Sequence, residues 1–284
     1  MKSSRKLGRR ITLLGGALAL VAAVAPATAT ATALTAAPAV GADYGHPAKP
    51  AAKPTVVLVH GAWADGSSWS DVVTRLQRDG YTVAVPPNPL RGVASDSAYL
   101  ANYLKTITGP IVLVGHSYGG FVITNAATGN KNVQALVYVD AYIPAKGDTL
   151  NTLTAQYPGS KVAPAALNFV PQSATDIDVY VKPAQFRDIL ANDLPNWEAT
   201  ELAATQRPLA ASALDEPSGT PAWTTIPSWD VIGLADHALP AAAQQFMATR
   251  AGSTVTKVNA SHLSMLSHPS TVEHVIEDAA HHTS

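Results

Sequence analysis

Residues 111–120 read IVLVGHSYGG, and this stretch limits the folds open to the chain more than any other. A short apolar run at 111–114 leads into Gly115-His116-Ser117-Tyr118-Gly119 and then Gly120. A helix-like segment follows at 121–128. Gly-x-Ser-x-Gly between a strand and a helix fits a sharp, strained turn that lifts a serine hydroxyl above a sheet. Small residues two before and two after the serine let strand and helix approach without side-chain clash. The first amides of the helix then point at whatever binds there. Glycine and serine are common, so the pentapeptide decides little without its surroundings.

The surroundings agree with it. Residues 55–60, TVVLVH, form a continuous apolar run, the pattern of a strand covered on both faces. A helix is predicted around 69–79, ended by Gly80, and a strand at 81–85 stopped by Pro86-Pro87. A second helix is predicted at 95–106, then the strand before Ser117, then a strand at 135–139 ending on Asp140. Strands alternating with helices at short spacing signal a parallel sheet built from right-handed crossovers. The alternation resumes late in the chain. A strand is predicted at 228–234, a helix from Pro240 to about 251, a strand at 253–259, and a helix at 270–280 opened by Pro269. The expectation is an α/β fold with about six parallel strands and flanking helices.

Between about 142 and 227 the rhythm breaks. Helical pieces are predicted at 182–192 and 196–205 without clear strands, and Tyr157, Phe169, Tyr180, Phe186, Trp197 and Trp223 are scattered through. A stretch this long reads as a helical cap inserted over the carboxyl edge of the sheet. Its aromatic and apolar residues imply a hydrophobic pocket for an acyl or alcohol group. Trp63 and Tyr142 stand at positions to line that pocket.

The amino terminus does not belong to this domain. Lys2, Arg5, Lys6, Arg9 and Arg10 precede an apolar segment at 11–24 and Ala-x-Ala sites such as Ala31-Thr32-Ala33. Residues 1–33 read as a secretory signal peptide, and Arg9-Arg10 loosely matches a twin-arginine signal. Residues 34–54 are rich in Ala and Pro and read as a flexible leader, with the domain at 55–284. Five of the 19 Lys and Arg residues lie in the first 33, and none of the 20 Asp and Glu residues. Cleavage would leave 14 basic against 20 acidic residues, a net charge of −6. That balance argues against nucleic acid as a partner, and no second hydrophobic run is long enough to anchor the mature chain in a membrane. The expected location is outside the cell. The chain has no cysteine, which excludes disulfides, thiolate metal sites and a cysteine nucleophile. Nothing in the sequence calls for a metal or a cofactor.

A serine hydroxyl is a poor nucleophile at neutral pH. It needs a base, and the base needs an orienter. In a parallel sheet these groups belong on loops at strand carboxyl ends. Asp236 follows the strand ending near Leu234, and His262 follows the strand ending near Asn259. The order Ser117, Asp236, His262 is that of serine hydrolases with this architecture. Asp140 also ends a strand and is the rival acid, with bonding to a loop amide as its other reading. Asp230 falls within its strand and reads as structural. His60 precedes a glycine turn and should bond local backbone. His116 should be turned away by the elbow, and His237 should be exposed. His268, His274, His281 and His282 lie on or near the last helix, facing solvent. An oxyanion would need two backbone donors. The amides of Tyr118, after the serine, and of Ala62, in the turn after the first strand, are the candidates. Gly61 before Ala62 would allow close approach of a substrate.

Residues 56–280 resemble the α/β-hydrolase superfamily. More narrowly they resemble the branch of plant methyl-ester esterases and hydroxynitrile lyases with their bacterial esterase-like relatives. The resemblance rests on Val59-His60-Gly61-Ala62-Trp63, Val114-Gly115-His116-Ser117-Tyr118-Gly119-Gly120, Tyr138-Val139-Asp140-Ala141, Gly233-Leu234-Ala235-Asp236, and Ser261-His262 with Leu266 and Pro269. It implies Ser117, Asp236 and His262 as catalytic triad, and Ala62 and Tyr118 as oxyanion donors. It does not fix the substrate, because one fold serves many reactions; a small-molecule carboxylic ester is the expectation. Hydroxynitrile lyases of this group carry threonine where this chain has Gly61, and lysine where it has Leu263. Both departures favour ester hydrolysis. The alternatives are a lyase-like or cofactor-free perhydrolase activity, and a non-catalytic ligand-binding protein on the same scaffold.

Overall fold

A computed structural model describes residues 53–283. The signal peptide expected at 1–33, and all of the leader except its last two residues, lie outside the described residues. Strand β1 (Thr55–Val59) is TVVLV, with four of its five residues buried. Helix α1 (Ser70–Arg78) turns Val72 and Leu76 inward and its charged residues outward. The chain continues through β2 (Thr82–Ala84), α2 (Val93–Leu104), the fully buried β3 (Ile111–His116), α3 (Gly119–Ala126) and β4 (Val133–Val139).

Residues 142–227 form the cap. It holds α4 (Leu150–Ala155), β5 (Leu167–Pro171), β6 (Ile177–Val181), α5 (Pro183–Leu190), α6 (Asn196–Thr205) and β7 (Leu209–Ala210). Helices α5 and α6 fall where the sequence places them, and α4 is a further helix that was not expected. The small antiparallel sheet β5-β6-β7 does not, because the cap was expected to lack clear strands. Its strands are two to five residues long, β5 is exposed at four of five positions and ends on Pro171, so no alternation marks it.

The main domain then completes itself with β8 (Ser228–Gly233), α7 (Ala241–Ala251), β9 (Thr254–Val258), α8 (Ser264–Ser267) and α9 (Pro269–His281). Pro269 occupies the first turn of α9, and Gly252 ends α7 in the left-handed conformation at φ 69°. The main sheet has six parallel strands in the order β2-β1-β3-β4-β8-β9. The inner strands β1, β3, β4 and β8 are buried almost throughout, whereas the edge strands β2 and β9 are half-exposed.

The chain steps from β1 outward to β2, then reverses and runs β3, β4, β8, β9 in the other direction. With right-handed crossovers this puts α1 on one face of the sheet and α2, α3 and α7 on the other. Helix α9 returns to pack against α1. The reversal leaves a crevice between the carboxyl ends of β1 and β3, where ligands bind in open parallel sheets. Among the described residues no helix is long and apolar enough to cross a membrane.

Candidate active site

Ser117 leaves β3 with φ 51°, a left-handed conformation that is costly for a residue with a side chain. The turn is held by close backbone contacts. A Cβ on Gly119 would lie 2.6 Å from the Val59 carbonyl oxygen, so only glycine lets α3 start this close to β1. Ser117 N donates to Val139 O at 3.3 Å, and Tyr142 N donates to Ser117 O at 3.3 Å. The hydroxyl therefore stands at a fixed point above the sheet.

His262 arrives from the loop after β9. Its Nε2 lies 2.8 Å from Ser117 Oγ, and its Nδ1 lies 2.7 Å from Asp236 Oδ2. Asp236 is held in turn from the acid loop after β8. Its Oδ1 accepts from the amides of Ala238 (2.7 Å) and Leu239 (2.8 Å), and its Oδ2 also accepts from Gln244 Nε2 at 2.8 Å. All three side chains of the Ser117–His262–Asp236 line are buried. Burial alone would lower the basicity of His262. The charge and hydrogen bond of Asp236, helped by the charge of Asp140, outweigh it and raise the imidazole above its usual 6.5.

The amides of Ala62 and Tyr118 have no acceptor among the described residues, although both residues are buried. They flank Ser117 from the ends of β1 and β3. The Tyr118 ring points away, and its hydroxyl donates to buried Asp96 at 2.8 Å. Trp63, at φ 58°, is fastened to the cap. Its amide donates to Arg207 O at 3.0 Å and its indole nitrogen to Val179 O at 2.9 Å. Gly61, expected to admit the substrate, has a packing role of its own. A Cβ there would lie 2.7 Å from Ser117 Cβ and 2.8 Å from His116 Nδ1, so the glycine lets the two turns pack on each other.

A narrow pocket of about 50 Å³ opens onto Ser117 and His262. Ala62, Trp63, Tyr118 and Tyr142 line its floor, and Leu150, Val162, Leu209 and Leu214 close it from the cap. Trp63 and Tyr142 thus sit where the sequence puts them. The scattered cap aromatics do not: none of the six lines this pocket. Phe186 is buried elsewhere, Trp223 donates to Pro144 O, and Phe169 and Trp197 face solvent.

The rival groups separate cleanly. Asp140 does not reach the serine or imidazole by a hydrogen bond; its Oδ2 accepts from the Ser264 amide at 2.9 Å. Asp230 is fully buried with no partner on either oxygen. His60 Nδ1 meets Gly61 O at 2.9 Å, as expected of local bonding. His237 is half-buried rather than exposed, because Nδ1 is taken up by Asp188 O in the cap at 2.7 Å. His274, His281 and His282 are exposed, and His268 is half-buried. Two supporting roles have no mark in the sequence. Gln244, eight positions after the acid on α7, braces it. His116 is turned from the pocket, yet its Nε2 donates to His262 O at 2.8 Å and its ring lies 4.9 Å from that of His262. Burial keeps His116 well below the usual basicity, hence neutral. Only its place beside the serine could have flagged it. Among the described residues no cluster of three or more His, Cys, Asp or Glu could hold a metal ion.

A family model described as alpha/beta hydrolase family matches residues 56–275. The chain belongs to this family. Among individual proteins it is 34% identical over 110 residues to a carbendazim hydrolyzing esterase of Nocardioides sp. (strain SG-4G). That match spans 34% of this chain and 46% of the relative, so the chain covers less than half of it. It is 25% identical over 255 residues to a pyrethroid hydrolase of Sphingobium wenxiniae, covering 79% of this chain and 87% of the relative. Among solved structures, tomato methylketone synthase I superposes with a TM-score of 0.69 at 17% identity, over 82% of this chain and 99% of that one. At that identity the likeness shows a shared fold.

Proposed function

We propose that the protein is an exported serine esterase that cleaves small carboxylic esters through an acyl-enzyme intermediate. The observation that carries this is the hydrogen-bonded line from Ser117 Oγ through His262 to Asp236, buried beside two unpartnered amides. The names of the relatives, a carbendazim esterase and a pyrethroid hydrolase, support the same chemistry.

Ser117 Oγ attacks the ester carbonyl carbon while His262 Nε2 takes its proton. The carbonyl oxygen becomes an oxyanion and is stabilised by the amides of Ala62 and Tyr118. Asp236 fixes the Nδ1–H tautomer and balances the charge on the imidazolium. The imidazolium passes its proton to the leaving alkoxide, the carbon–oxygen bond breaks, and the alcohol departs. Water, deprotonated by His262, then attacks the acyl-enzyme, and the acid leaves with Ser117 regenerated.

The lyase reading finds no support in the pocket. Leu263 offers no cation beside His262, and a side chain at position 61 would collide with the elbow. The N-terminal 33 residues carry the proposal of export.

The test is turnover of p-nitrophenyl esters from acetate to dodecanoate, with Ser117→Ala and His262→Ala alongside. Each substitution should lower kcat by on the order of 10⁴–10⁶-fold. Near-normal turnover by Ser117→Ala would end the proposal. Folded wild-type protein inert on every ester would also end it.

A further inference from the structure

Asp140 is a buried ionisable group for which the mechanism above has no task. It ends β4 with φ 46°, a left-handed conformation, and its side chain is shut off from solvent. The strained turn aims the carboxylate between the two loops that carry Asp236 and His262. Its Oδ2 accepts from the amide of Ser264, two residues beyond His262, at 2.9 Å. Its Oδ1 has no hydrogen-bond partner and lies 2.7 Å from where a Cβ on Gly233 would stand, at the start of the acid loop. The carbonyl oxygens of Ser261 and Ala260 crowd the same point, at 2.8 and 3.0 Å. Only glycine at 233 leaves room for the carboxylate there.

We propose that Asp140 is a positioning residue for His262, which ties down the loop that carries the imidazole and supplies a second negative charge behind it. This rests on the reading of Ser117, His262 and Asp236 as the reacting line. One contact anchors the loop just after the imidazole. His116 anchors it from the other side by donating to His262 O. The charged groups that bear on His262 are Asp236, which is hydrogen-bonded to it, and Asp140; neutral His116 packs on the ring. Those that bear on Asp140 are Asp236, His262 and Asp230. Burial and the charge of Asp236 push the Asp140 carboxyl up to about 7, against the pull of His262 and the Ser264 amide. A positive charge on His262 favours the ionised carboxylate. The counter-charge therefore strengthens when the serine proton moves to the ring. A neutral resting site keeps it weak.

Asp140→Asn separates the two tasks, because the amide oxygen still accepts from Ser264 N while the charge is gone. The expected result is an acid limb of kcat/KM displaced to lower pH, since one of the charges that raise His262 has been removed. KM should stay unchanged and kcat should fall by about tenfold, one conventional charge–charge contribution. Asp140→Ala should lose more, because the loop anchor goes as well. In an Asp236→Asn background, adding Asp140→Asn should lower the residual rate further.

A second measurement reads the charge on the ring itself and shows in the same spectrum whether each variant is folded. The His262 ring is titrated by ¹⁵N NMR in Asp236→Asn and in Asp236→Asn/Asp140→Asn. Burial outweighs the charge of Asp140 once Asp236 is gone, so the ring should titrate below its usual range in both and at lower pH in the double variant. A ring that titrates alike in the two variants, or an acid limb unmoved by Asp140→Asn, would overturn the proposal. Ser117→Ala run in parallel keeps the outcomes apart. If it is active, the reacting line itself is wrong. If it is dead and Asp140→Asn is silent, only the role of Asp140 is wrong.

Discussion

At the residue scale, three side chains far apart in sequence meet because each sits on a turn at the carboxyl end of a parallel strand. Their legibility in the sequence had the same source. Ser117 and Asp236 follow apolar runs that read as buried strands, His262 follows a half-exposed edge strand, and strand-end loops converge on one edge of a sheet. His116 and Gln244 were not legible, because their tasks are set by tertiary contacts. The one meets a carbonyl 146 positions away, and the other reaches back from a helix face to brace a carboxylate. The electrostatics of His262 give a prediction at this scale. The imidazole must be neutral to take the serine proton, and Asp236 and Asp140 raise it above 6.5 against burial. Activity should therefore be full only on the alkaline side of the raised value and fall as pH drops through it, with a midpoint above 6.5. The check is kcat/KM across pH 5 to 9. A rate flat over that range would mean that no histidine acts as base.

At the element scale, the six-stranded sheet was readable and the cap sheet was not. Strands β1, β3, β4 and β8 are covered on both faces, so their sequences are continuous apolar runs bounded by turns. Strands β5 to β7 are short; β5 is exposed along most of its length, and the buried positions of β6 and β7 follow no alternation. One position breaks the pattern of the main sheet. Asp230 sits inside β8, fully buried and without a hydrogen-bond partner. Burial, then the neighbouring charge of Asp140, holds its carboxyl well above the ordinary 3.8, so the folded protein keeps a proton there that the unfolded chain releases. The resulting stability is full below the unfolded value and is lost as pH rises towards the folded one. Asp230→Asn lacks this loss. Its melting temperature should exceed that of the wild type by a margin that grows from pH 4 to pH 8. A margin independent of pH would show that the carboxyl is ionised in the fold.

At the scale of the whole described domain, the cap does more than roof the pocket. It bonds to all three turns around Ser117. Val179 and Arg207 hold Trp63, Asp193 accepts from Ser261 N at 3.0 Å beside His262, and Asn192 donates to Ala235 O at 2.9 Å beside Asp236. These ties set both the geometry of the site and its size. The pocket is small because Leu150, Val162, Leu209 and Leu214 descend into it, so short acyl chains should be the best substrates. Leu214→Ala removes bulk from the cap side without touching the reacting line. It should move the optimum of the p-nitrophenyl series towards longer chains, changing the preference for long over short esters by roughly 10–200-fold, since such a pocket change is worth about 1–3 kcal/mol. An unchanged chain-length profile would place the acyl group elsewhere.

If Ser117 is the nucleophile, a covalent trap will find it. The protein is treated with a fluorophosphonate and the adduct is mapped by peptide mass spectrometry, with Ser117→Ala and His262→Ala treated alike. The expected outcome is one phosphonyl group per chain, on Ser117, with loss of esterase activity in step with labelling. Ser117→Ala should carry no label at that site, and labelling of His262→Ala should be greatly slowed. Stoichiometric labelling of another residue, or full inactivation with Ser117 unmodified, would contradict it.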